Sequence, residues 1–489
     1  MQLGHWFDGD GYVTSLVLNG KTNQVHFSGR FVETDRYRAQ EQSTWKNTSS
    51  SSSPPLAFAG AWTKRGHGKW YENLFQIPKN PANTAVMWLP PSQSAVTKDN
   101  SEKNTDPRLF ALCEGGHPIE LDPRTLFTIS KRETPFTSSD RREAVSSFFS
   151  AHFSRCPITE RIYNHGYILP IPPCNTKPCI NVMELSHNGD LIQQKSTNLP
   201  YDTFIHDSVI TNNYIIYFVI PWKSPEGALL TSLLGGDPYG KQYQWSSADG
   251  VYIHVHSRKD MNLLYQVRVP KDISLYHIVD AFDETTSDKA TIYVRVAELE
   301  TCDRSKLEAQ FGDPYDSPID GGRQLMCKLR EYTIHCKKDG SAAVTDKDIS
   351  DNTSENVLRR ALCEFPTVNN KWEPQMHRQF CWINAASTDS TPWLHGIQKV
   401  DMTKGKATQV KTFGSGTYSG APAFIPKKGD GQIEDDGYVI ATVYDSNIHK
   451  SFVVILDAKT LDMICRIDLT HHVPYQFHGE FMPDFLAMM

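Results

Sequence analysis

The stretch "YIIYFVIPW", from Tyr214 to Trp222, decides what kind of fold this chain forms. It is rich in β-branched and aromatic residues, and Asn213 and Pro221 bound its apolar part. A short apolar run limited in this way is typical of a buried β-strand. Similar runs recur along the whole chain, among them "YVTSLVLNG", "GVYIHVHSR", "ATIYVRVAEL", "GYVIATVYD" and "SFVVILDA". Helical periodicity is scarce, so the sequence predicts an all-β fold, and many short strands with polar turns suit a propeller or a large sandwich.

The domain organisation follows from the even spread of these strands over 489 residues. Two segments interrupt the strand pattern without changing the composition on either side. One is a low-complexity loop near residues 43–56 that contains "TSSSSSPP", and the other is a polar insertion at residues 92–107. Neither has the apolar residues needed to pack a core. We therefore predict a single domain over residues 1–489 with long surface loops.

Charge and cysteine content exclude several classes of protein. The net charge is −6, from 50 basic and 56 acidic residues, and no block of like charge stands out, so we expect no nucleic-acid partner. The ten cysteines are irregularly spaced and do not form a disulfide framework. Together with the lack of a visible signal peptide, they indicate reduced thiols and a cytoplasmic location.

One apolar segment, "ALLTSLL" from Ala228 to Leu234, differs from the strands around it. It is too short to span a membrane, which needs about 18 or more apolar residues. It is either a helix or loop packed on the core, or an exposed patch that dips into a bilayer or guards a tunnel for an apolar substrate. Composition alone leaves both interpretations open.

Among the eighteen histidines, His254 and His256 in "YIHVHS" lie two residues apart on a predicted strand. Their side chains therefore point to the same face. A pair of this kind can chelate a metal ion, but two ligands do not define a site. We expect the pair to lie on a solvated strand face.

Four other histidines share a local context. Each is flanked by aromatic or apolar residues at the edge of a predicted element, as in "SSFFSAHFSRC", "YDTFIHDSV", "ISLYHIVDAF" and "VPYQFHGEF". These histidines are His152, His206, His277 and His478. A propeller is able to bring distant blade edges together at its axis, but their spacing alone does not separate metal ligands from core residues.

The four contexts resemble the histidine motifs of the carotenoid cleavage oxygenase family, which also includes the retinal pigment epithelium isomerohydrolase and stilbene-cleaving dioxygenases. The resemblance extends in the family's order over nearly the whole chain. It includes "HWFDGDGYV", "GRFVETDRY", "NTAVMW", "ALCEGGHPIELDPRTL", "CEFPTVN" and "EDDGYVIATVYD".

The resemblance implies a seven-bladed β-propeller with a loop and short-helix cap over an axial site. There, His152, His206, His277 and His478 would hold Fe(II). The implied reaction is dioxygenase cleavage of a conjugated C=C bond of a carotenoid or apocarotenoid, with O2, to carbonyl products. The alternatives are a stilbene-cleaving dioxygenase, a retinoid-ester isomerohydrolase, and a catalytically impaired propeller that only binds its ligand.

The family pattern also assigns glutamate partners to three of the four histidines. Glu114 in "ALCEGG" and Glu364 in "CEFPTVN" match two of them, but Ala421 in "YSGAPAF" stands where the third glutamate is expected. Loss of such a partner typically weakens metal binding or activity by about 10–100-fold. We expect weaker iron retention at His478. The family segment that normally precedes "HWFDGDG" is not seen, so we also expect N-terminal blade strands to be missing.

Two features bear on the substrate. Cys113 stands where the phenolic stilbene cleavers of the family have a lysine, and a thiol is a weak hydrogen-bond donor. This favours an apolar polyene over a phenolic stilbene. The leucines of the "ALLTSLL" segment are predicted to line the substrate tunnel and to give a peripheral membrane contact; they are Leu229, Leu230, Leu233 and Leu234.

Overall fold

The structure of the protein is a computed structural model that describes most of the chain. The described residues are 6–38, 41, 74–75, 80–91, 106–129, 148–168, 177–299, 327–349, 363–372, 377–386, 394–404, 406–428 and 433–483. The loop near residues 43–56 and residues 92–105 lie outside them, so the two predicted insertions and the single-domain boundary stay predictions. The six cysteines whose thiols are recorded as free are Cys113, Cys156, Cys179, Cys336, Cys381 and Cys465.

Strands make up almost all of the described secondary structure, as the sequence predicts. In chain order they are β1 (Tyr12–Asn19), β2 (Gln24–Phe31), β3 (Ala85–Leu89), β4 (Arg108–Leu112), β5 (Ile119–Leu121), β6 (Ser154–Arg155), β7 (Ile162–Ile168), β8 (Cys179–Leu185), β9 (Leu191–Asn198), β10 (Val209–Ile210), β11 (Tyr214–Val219), β12 (Trp222–Lys223), β13 (Gln244–Trp245), β14 (Val251–Ser257), β15 (Leu263–Val269), β16 (Ser274–Thr285), β17 (Lys289–Leu299), β18 (Cys327–Lys337), β19 (Ala342–Asp348), β20 (Cys363–Thr367), β21 (Phe380–Ala386), β22 (Leu394–Asp401), β23 (Lys406–Thr412), β24 (Thr417–Ser419), β25 (Ala423–Pro426), β26 (Gly437–Asp445), β27 (Lys450–Asp457) and β28 (Met463–Asp468). A short helix, α1, spans Ala228–Leu233. It is too short to cross a membrane, and no other described helix is long and apolar enough to do so.

Six antiparallel sheets of three to five strands form the blades of a propeller. They are β3–β4–β5, β6–β7–β8–β9, β10–β11–β14–β15, β16–β17–β18–β19, β20–β21–β22–β23, and a last sheet in which β24 and β25 both pair with β26 ahead of β27 and β28. Neighbouring sheets meet through their first strands, since β10 contacts β16 and β16 contacts β20. The first strands therefore surround a common axis.

Burial along the strands explains why their sequences differ. Every residue of β11 is buried, because this strand lies inside its sheet and the sheet packs between two others. Continuous apolar runs are expected where both faces of a strand are covered. In the outermost strand β19, half-buried and exposed residues alternate, which leaves one face to solvent. The run "YIIYFV" is thus the interior of a blade.

The blade count corrects the expectation of seven blades. In the described part of the chain, β1 and β2 pair with each other and with no further strand, so they form a hairpin rather than a four-stranded blade. The hairpin nevertheless packs on both neighbours: Leu16 contacts the core of the last sheet, and Val13 contacts the core of the first. It therefore fills the gap between those two sheets.

The segment after β28 ties the two ends of the ring together. Gln476 donates a side-chain hydrogen bond to Thr14 of β1. Glu480 accepts a hydrogen bond from the Trp88 backbone N–H of β3 at 2.5 Å, and it pairs with Arg155 at 3.0 Å. These contacts span more than 300 residues of sequence and hold the last segment across the first two sheets. This segment also carries His478.

Candidate metal centre

Four imidazole rings meet where the first strands converge; His277 is buried, and His152, His206 and His478 are half-buried. The ring centroids of His152 and His206 are 4.3 Å apart, those of His152 and His478 are 4.6 Å apart, and those of His277 and His478 are 5.0 Å apart. The four histidines singled out from the sequence are therefore neighbours, although His478 follows His277 by 201 residues.

Three of the rings reach the axis at or just before the beginning of a strand, whereas His478 reaches it from the segment after β28. His152 lies two residues before β6, and His206 lies in the turn between β9 and β10. His277 is the fourth residue of β16, where the pairing register with β17 shifts between Leu275 and Ile278. Such irregularities re-aim a side chain out of the regular alternation. Histidines that are far apart in sequence thus form one inward-facing group.

Two carboxylates orient two of the rings. Glu364 Oε2 lies 2.6 Å from His277 Nδ1, and Glu114 Oε1 lies 2.9 Å from His206 Nδ1. Thr84 Oγ1 in turn donates to Glu114 Oε2 at 3.3 Å. Both glutamates thus lie beside histidines of the group, and Thr84, which sequence reasoning did not single out although it belongs to the motif "NTAVMW", supports one of them. A carboxylate of this kind fixes the tautomer and the angle of the ring that it bonds.

The inward-facing nitrogens suit a cation. A carboxylate only accepts, so His206 and His277 carry their protons on Nδ1 and present bare Nε2 lone pairs to the centre. These Nε2 atoms are 3.3 Å apart, and His277 Nε2 is 3.2 Å from His478 Nε2. Among the described residues, the buried His152 Nε2 has no hydrogen-bond partner. Lone pairs this close are stabilised by a positive charge between them.

The same geometry satisfies the spacing of a metal site. The ligand atoms of His152, His277 and His478 lie within 4.8 Å of one another, and those of Glu114, His152 and His206 do so as well. Neutral imidazole is a good ligand for divalent iron, zinc, copper and nickel. The donor set therefore fits a transition-metal ion.

Electrostatics keep most of this group in the ligand form. Burial, followed by the charge of the neighbouring imidazoles, holds the pKa values of His152, His277 and His478 well below the ordinary value. At His206, burial lowers the pKa but the facing Glu114 carboxylate more than offsets it, so the pKa is raised. The lowered pKa values keep His152, His277 and His478 neutral near neutral pH, so each of these three rings has a lone pair available to a metal ion.

The fourth ring, His478, differs from its neighbours. Its described contacts are with the rings of His277, His152 and Phe365, and no carboxylate of the described chain bonds to it. Ala421 lies beside this segment, because its backbone N–H donates to the Gln476 carbonyl at 3.2 Å. Its side chain packs half-buried in an apolar cluster with Tyr475 and Phe477. Position 421 therefore lies opposite Gln476, which precedes His478 by two residues. An acidic side chain at this position would begin close to the His478 ring.

Aromatic side chains surround the rings, and sequence reasoning did not single them out. Phe365 lies 5.3 Å from the His277 ring and 5.4 Å from the His478 ring, while Tyr276 and Phe204 lie beside His206. Phe365 has a φ of 56°, which is unusual for a bulky residue. It stands between Glu364 and Pro366, so the motif "CEFPT" was the available signal.

The predicted tunnel residues fall into two places. Cys113 is half-buried next to Glu114, and burial followed by that carboxylate raises its pKa to about 12. The four leucines lie on α1 and just after it; Leu230 and Leu234 are exposed, whereas Leu229 and Leu233 are half-buried. The recorded contacts of this segment are with residues 74–75 and with Gln242 rather than with the histidines. A tunnel role for these leucines stays a prediction.

The expectation for His254 and His256 was wrong. Both are fully buried, not solvated. Tyr217 OH lies 3.1 Å from His254 Nδ1 and 2.9 Å from His256 Nε2, and His256 Nδ1 donates to the Met261 carbonyl at 3.0 Å. Neighbouring sheets cover both faces of the third sheet, so the polar side chains of β11 and β14 are enclosed and must bond to one another.

Comparison with known proteins finds relatives over nearly the whole chain. The family model described as the retinal pigment epithelial membrane protein (RPE65) matches residues 1–483. The chain belongs to the RPE65 and carotenoid cleavage oxygenase family. An apocarotenoid-15,15'-oxygenase from Synechocystis sp. is 27% identical over 98% of this chain and 86% of its own length. A carotenoid 9,10(9',10')-cleavage dioxygenase from Crocus sativus is 22% identical over 98% of this chain and 80% of its own.

Solved structures of this carotenoid cleavage oxygenase family share the fold. The cobalt-substituted Synechocystis apocarotenoid oxygenase superposes with a TM-score of 0.77 at 24% identity, covering 98% of this chain and 88% of that one. The cobalt form shows that this relative takes up a metal ion. In the present chain, the histidine group provides residues that suit one.

Proposed function

We propose that the protein is a non-haem Fe(II) dioxygenase that cleaves a conjugated C=C bond of a carotenoid or apocarotenoid and yields two carbonyl products. The observation that carries this proposal is the convergence of four imidazoles at one point: His277 Nε2 lies 3.3 Å from His206 Nε2 and 3.2 Å from His478 Nε2, and His152 Nε2 has no hydrogen-bond partner among the described residues. His152, His206, His277 and His478 would hold the ion, with Glu114 and Glu364 behind two of them. When bound, Fe(II) supplies coordination positions and electrons for the use of O2.

The surroundings of the histidines suit an apolar polyene. Phe365, Tyr276 and Phe204 provide aromatic surface beside the rings, and the first of these is buried. Such walls exclude water and hold a rigid substrate in one orientation, which is the main contribution the protein makes to this kind of reaction. No charged side chain is required to hold a hydrocarbon, so the site needs shape more than polarity.

Cys113 supports a carotenoid or apocarotenoid over a stilbene. Its thiol stays protonated and is a weak donor, so it offers little to a phenol. The test is to incubate iron-loaded protein with β-carotene, an apocarotenal and resveratrol, and to identify aldehyde products by mass. Cleavage of the apocarotenal or carotenoid is expected. Cleavage of resveratrol alone would instead support a stilbene-cleaving dioxygenase.

One observation favours a second function, that of a ligand-binding propeller with impaired turnover. His478 has no carboxylate partner among the described residues, and Ala421 takes the place of the expected glutamate. Iron content and oxygen-dependent product formation distinguish the two. Stoichiometric iron with product supports the oxygenase, whereas polyene binding without product, at full iron occupancy, supports the binding protein.

We further propose that the protein is cytoplasmic and that it touches a membrane peripherally through α1 and the segment beside it. Phe75, Leu230 and Leu234 are 73%, 59% and 51% exposed and lie close together, since Leu74 pairs with Leu234 and the Phe75 N–H donates to Leu233. Exposed apolar groups of this kind insert shallowly into bilayers. Co-sedimentation with phosphatidylcholine vesicles is expected to fall in the double variant Leu230→Ser/Leu234→Ser, with Ile448→Ser as an exposed apolar control.

A further inference from the structure

A cluster of buried polar residues connects the chain segments that carry His152 and His206. This cluster does not include Glu114 or Glu364. The group consists of Ser150, Asn164, His165 and Ser208, which we call the inner clamp. All four are at most 6% exposed. Buried polar groups that bond fully to one another fix a single arrangement of the backbone around them.

Ser150 connects the two histidines directly. Its Oγ accepts the His152 backbone N–H at 3.0 Å and donates to the His206 carbonyl at 3.0 Å. One hydroxyl has one proton to donate and lone pairs to accept, so both bonds form at once. Ser150 thereby fixes the distance between the backbone segments that carry the two rings.

Strand β7 holds Ser150 in place. The Ser150 N–H donates to the His165 carbonyl at 2.9 Å, and Asn164 Nδ2 donates to the Ser150 carbonyl at 3.0 Å. Both backbone groups of Ser150 are therefore bound to two consecutive residues of one rigid strand.

The His165 ring holds the other segment. Its Nε2 lies 3.0 Å from the Ile205 carbonyl, and its Nδ1 lies 3.0 Å from Ser208 Oγ. A carbonyl can only accept, so Nε2 carries the proton and Nδ1 accepts from the Ser208 hydroxyl. The ring thus grips the chain on both sides of His206, at the residues just before and two after it. Ser154 Oγ adds a 3.2 Å bond to the Ser208 carbonyl.

We infer that the inner clamp is a positioning device for His152 and His206. For His206 it adds to the hold of Glu114, but no carboxylate of the described residues lies within hydrogen-bond distance of His152, since Glu114 Oε1 is 3.9 Å from its Nε2. His152 therefore depends on the clamp for its placement. This inference rests on the proposed metal site, and it assigns His165 a role that its sequence context, "YNHGY", does not suggest.

The chain offers a matched control for His165. His256 is equally buried and also bonds one carbonyl and one hydroxyl, those of Met261 and Tyr217, but it contacts neither histidine segment. His165→Phe and His256→Phe therefore remove the same kinds of bond from similar surroundings. Any general loss of stability should be shared, and any effect on the metal should not.

The experiment measures Co(II) binding to metal-free full-length protein by chelator competition, together with the visible d–d absorption of the bound Co(II). His165→Phe is expected to weaken Co(II) binding by about 10-fold or more, the range seen for outer-shell partners, and to shift the absorption bands. His256→Phe is expected to stay within about 2-fold of wild type on that scale, with unchanged bands.

Two further variants keep the test informative if His165→Phe unfolds. Ser150→Ala removes the direct link between the two segments and is expected to weaken Co(II) binding; Ser451→Ala, a buried serine that accepts one backbone N–H, is its control. His165→Gln keeps a donor toward Ile205 and is expected to recover part of the affinity.

The outcomes separate the two proposals. Wild-type protein that fails to bind Co(II) stoichiometrically overturns the metal site and the clamp together. Stoichiometric wild-type binding, with His165→Phe matching His256→Phe and Ser150→Ala matching Ser451→Ala in affinity and spectrum, overturns the clamp alone.

Discussion

Two groups of neighbouring histidines can be compared among the described residues of this propeller, one at the axis and one inside the third blade. In the blade, Tyr217 OH bridges His254 and His256, and the remaining nitrogen of His256 donates to a carbonyl. At the axis, the Nδ1 atoms of two rings turn outward to carboxylates, and the Nε2 atoms face each other at 3.2 and 3.3 Å.

The difference shows what separates a candidate metal site from a packed histidine pair. Burial is common to both groups, and burial lowers the pKa of His254 and His256 as it does that of His277. The two groups differ in the direction in which the ring nitrogens point. At the axis, two Nδ1 atoms bond outward to carboxylates, so the Nε2 lone pairs of these rings point inward to one place. In the blade, three of the four ring nitrogens bond to Tyr217 or to the Met261 carbonyl, and neither histidine belongs to a group of potential metal ligands among the described residues.

The strongest test of the difference between the two groups is to remove one histidine ring from each. His277→Ala is expected to abolish stoichiometric iron binding and to reduce polyene cleavage by more than about 100-fold, beyond the range for outer-shell partners. His254→Ala is expected to leave iron content unchanged while lowering stability. Elemental analysis and product assays on both variants decide the matter; equal iron loss in the two would show that the groups do not differ as described.

A second test removes an outward partner instead of a ring. Glu364→Gln neutralises the carboxylate that lies 2.6 Å from His277 Nδ1 and is expected to weaken iron binding by about 10–100-fold. Glu184→Gln is the control, because Glu184 is also buried but bonds Tyr163 and Arg161 in the second blade. Chelator competition measures both, and a Glu364→Gln affinity equal to that of the control would contradict the assigned role.

A third test adds a partner where the axis lacks one. Ala421→Glu is expected to raise iron affinity by up to about 10-fold, the lower end of the outer-shell range, by giving His478 a carboxylate. Ala421→Gln is the matched variant, with nearly the same shape but no charge. Iron stoichiometry and affinity are measured for both, and an unchanged value in Ala421→Glu would count against the assignment of this position.

The smallest expected effect is on the pH dependence of stability, through His254 in the third blade. Burial, followed by the charge of His256, lowers the pKa of His254 to about 4, whereas in the unfolded chain it titrates near the ordinary value. Between these values the unfolded state binds more protons, so stability falls as the pH drops through this window and is regained as the pH rises. The free energy of unfolding of His254→Phe is expected to depend less steeply on pH, by less than about 1.4 kcal/mol per pH unit. Urea titrations from pH 6.5 to pH 4 measure both slopes, and equal slopes would refute the contribution of His254.

The sequence alone predicted the class of fold and the members of the axial group. Runs such as "YIIYFVIPW" specify strands, because β-branched and aromatic residues between turn residues fit a covered blade. The four histidines, Glu114 and Glu364 were found by resemblance to family motifs, and the structure places all six together. Strand patterns and motifs can be recognised in the sequence because each depends on residues that are neighbours along the chain.

Only the tertiary structure decided how distant parts of the chain meet. It decided that six blades and a hairpin form the described ring, since pairing partners and gap-filling contacts are not encoded in any one segment. It placed His254 and His256 inside a blade, where their strand pattern had suggested solvent. It also placed Ser150 and His165 between His152 and His206, because hydrogen bonds from one strand to another segment depend on where the folded backbones lie.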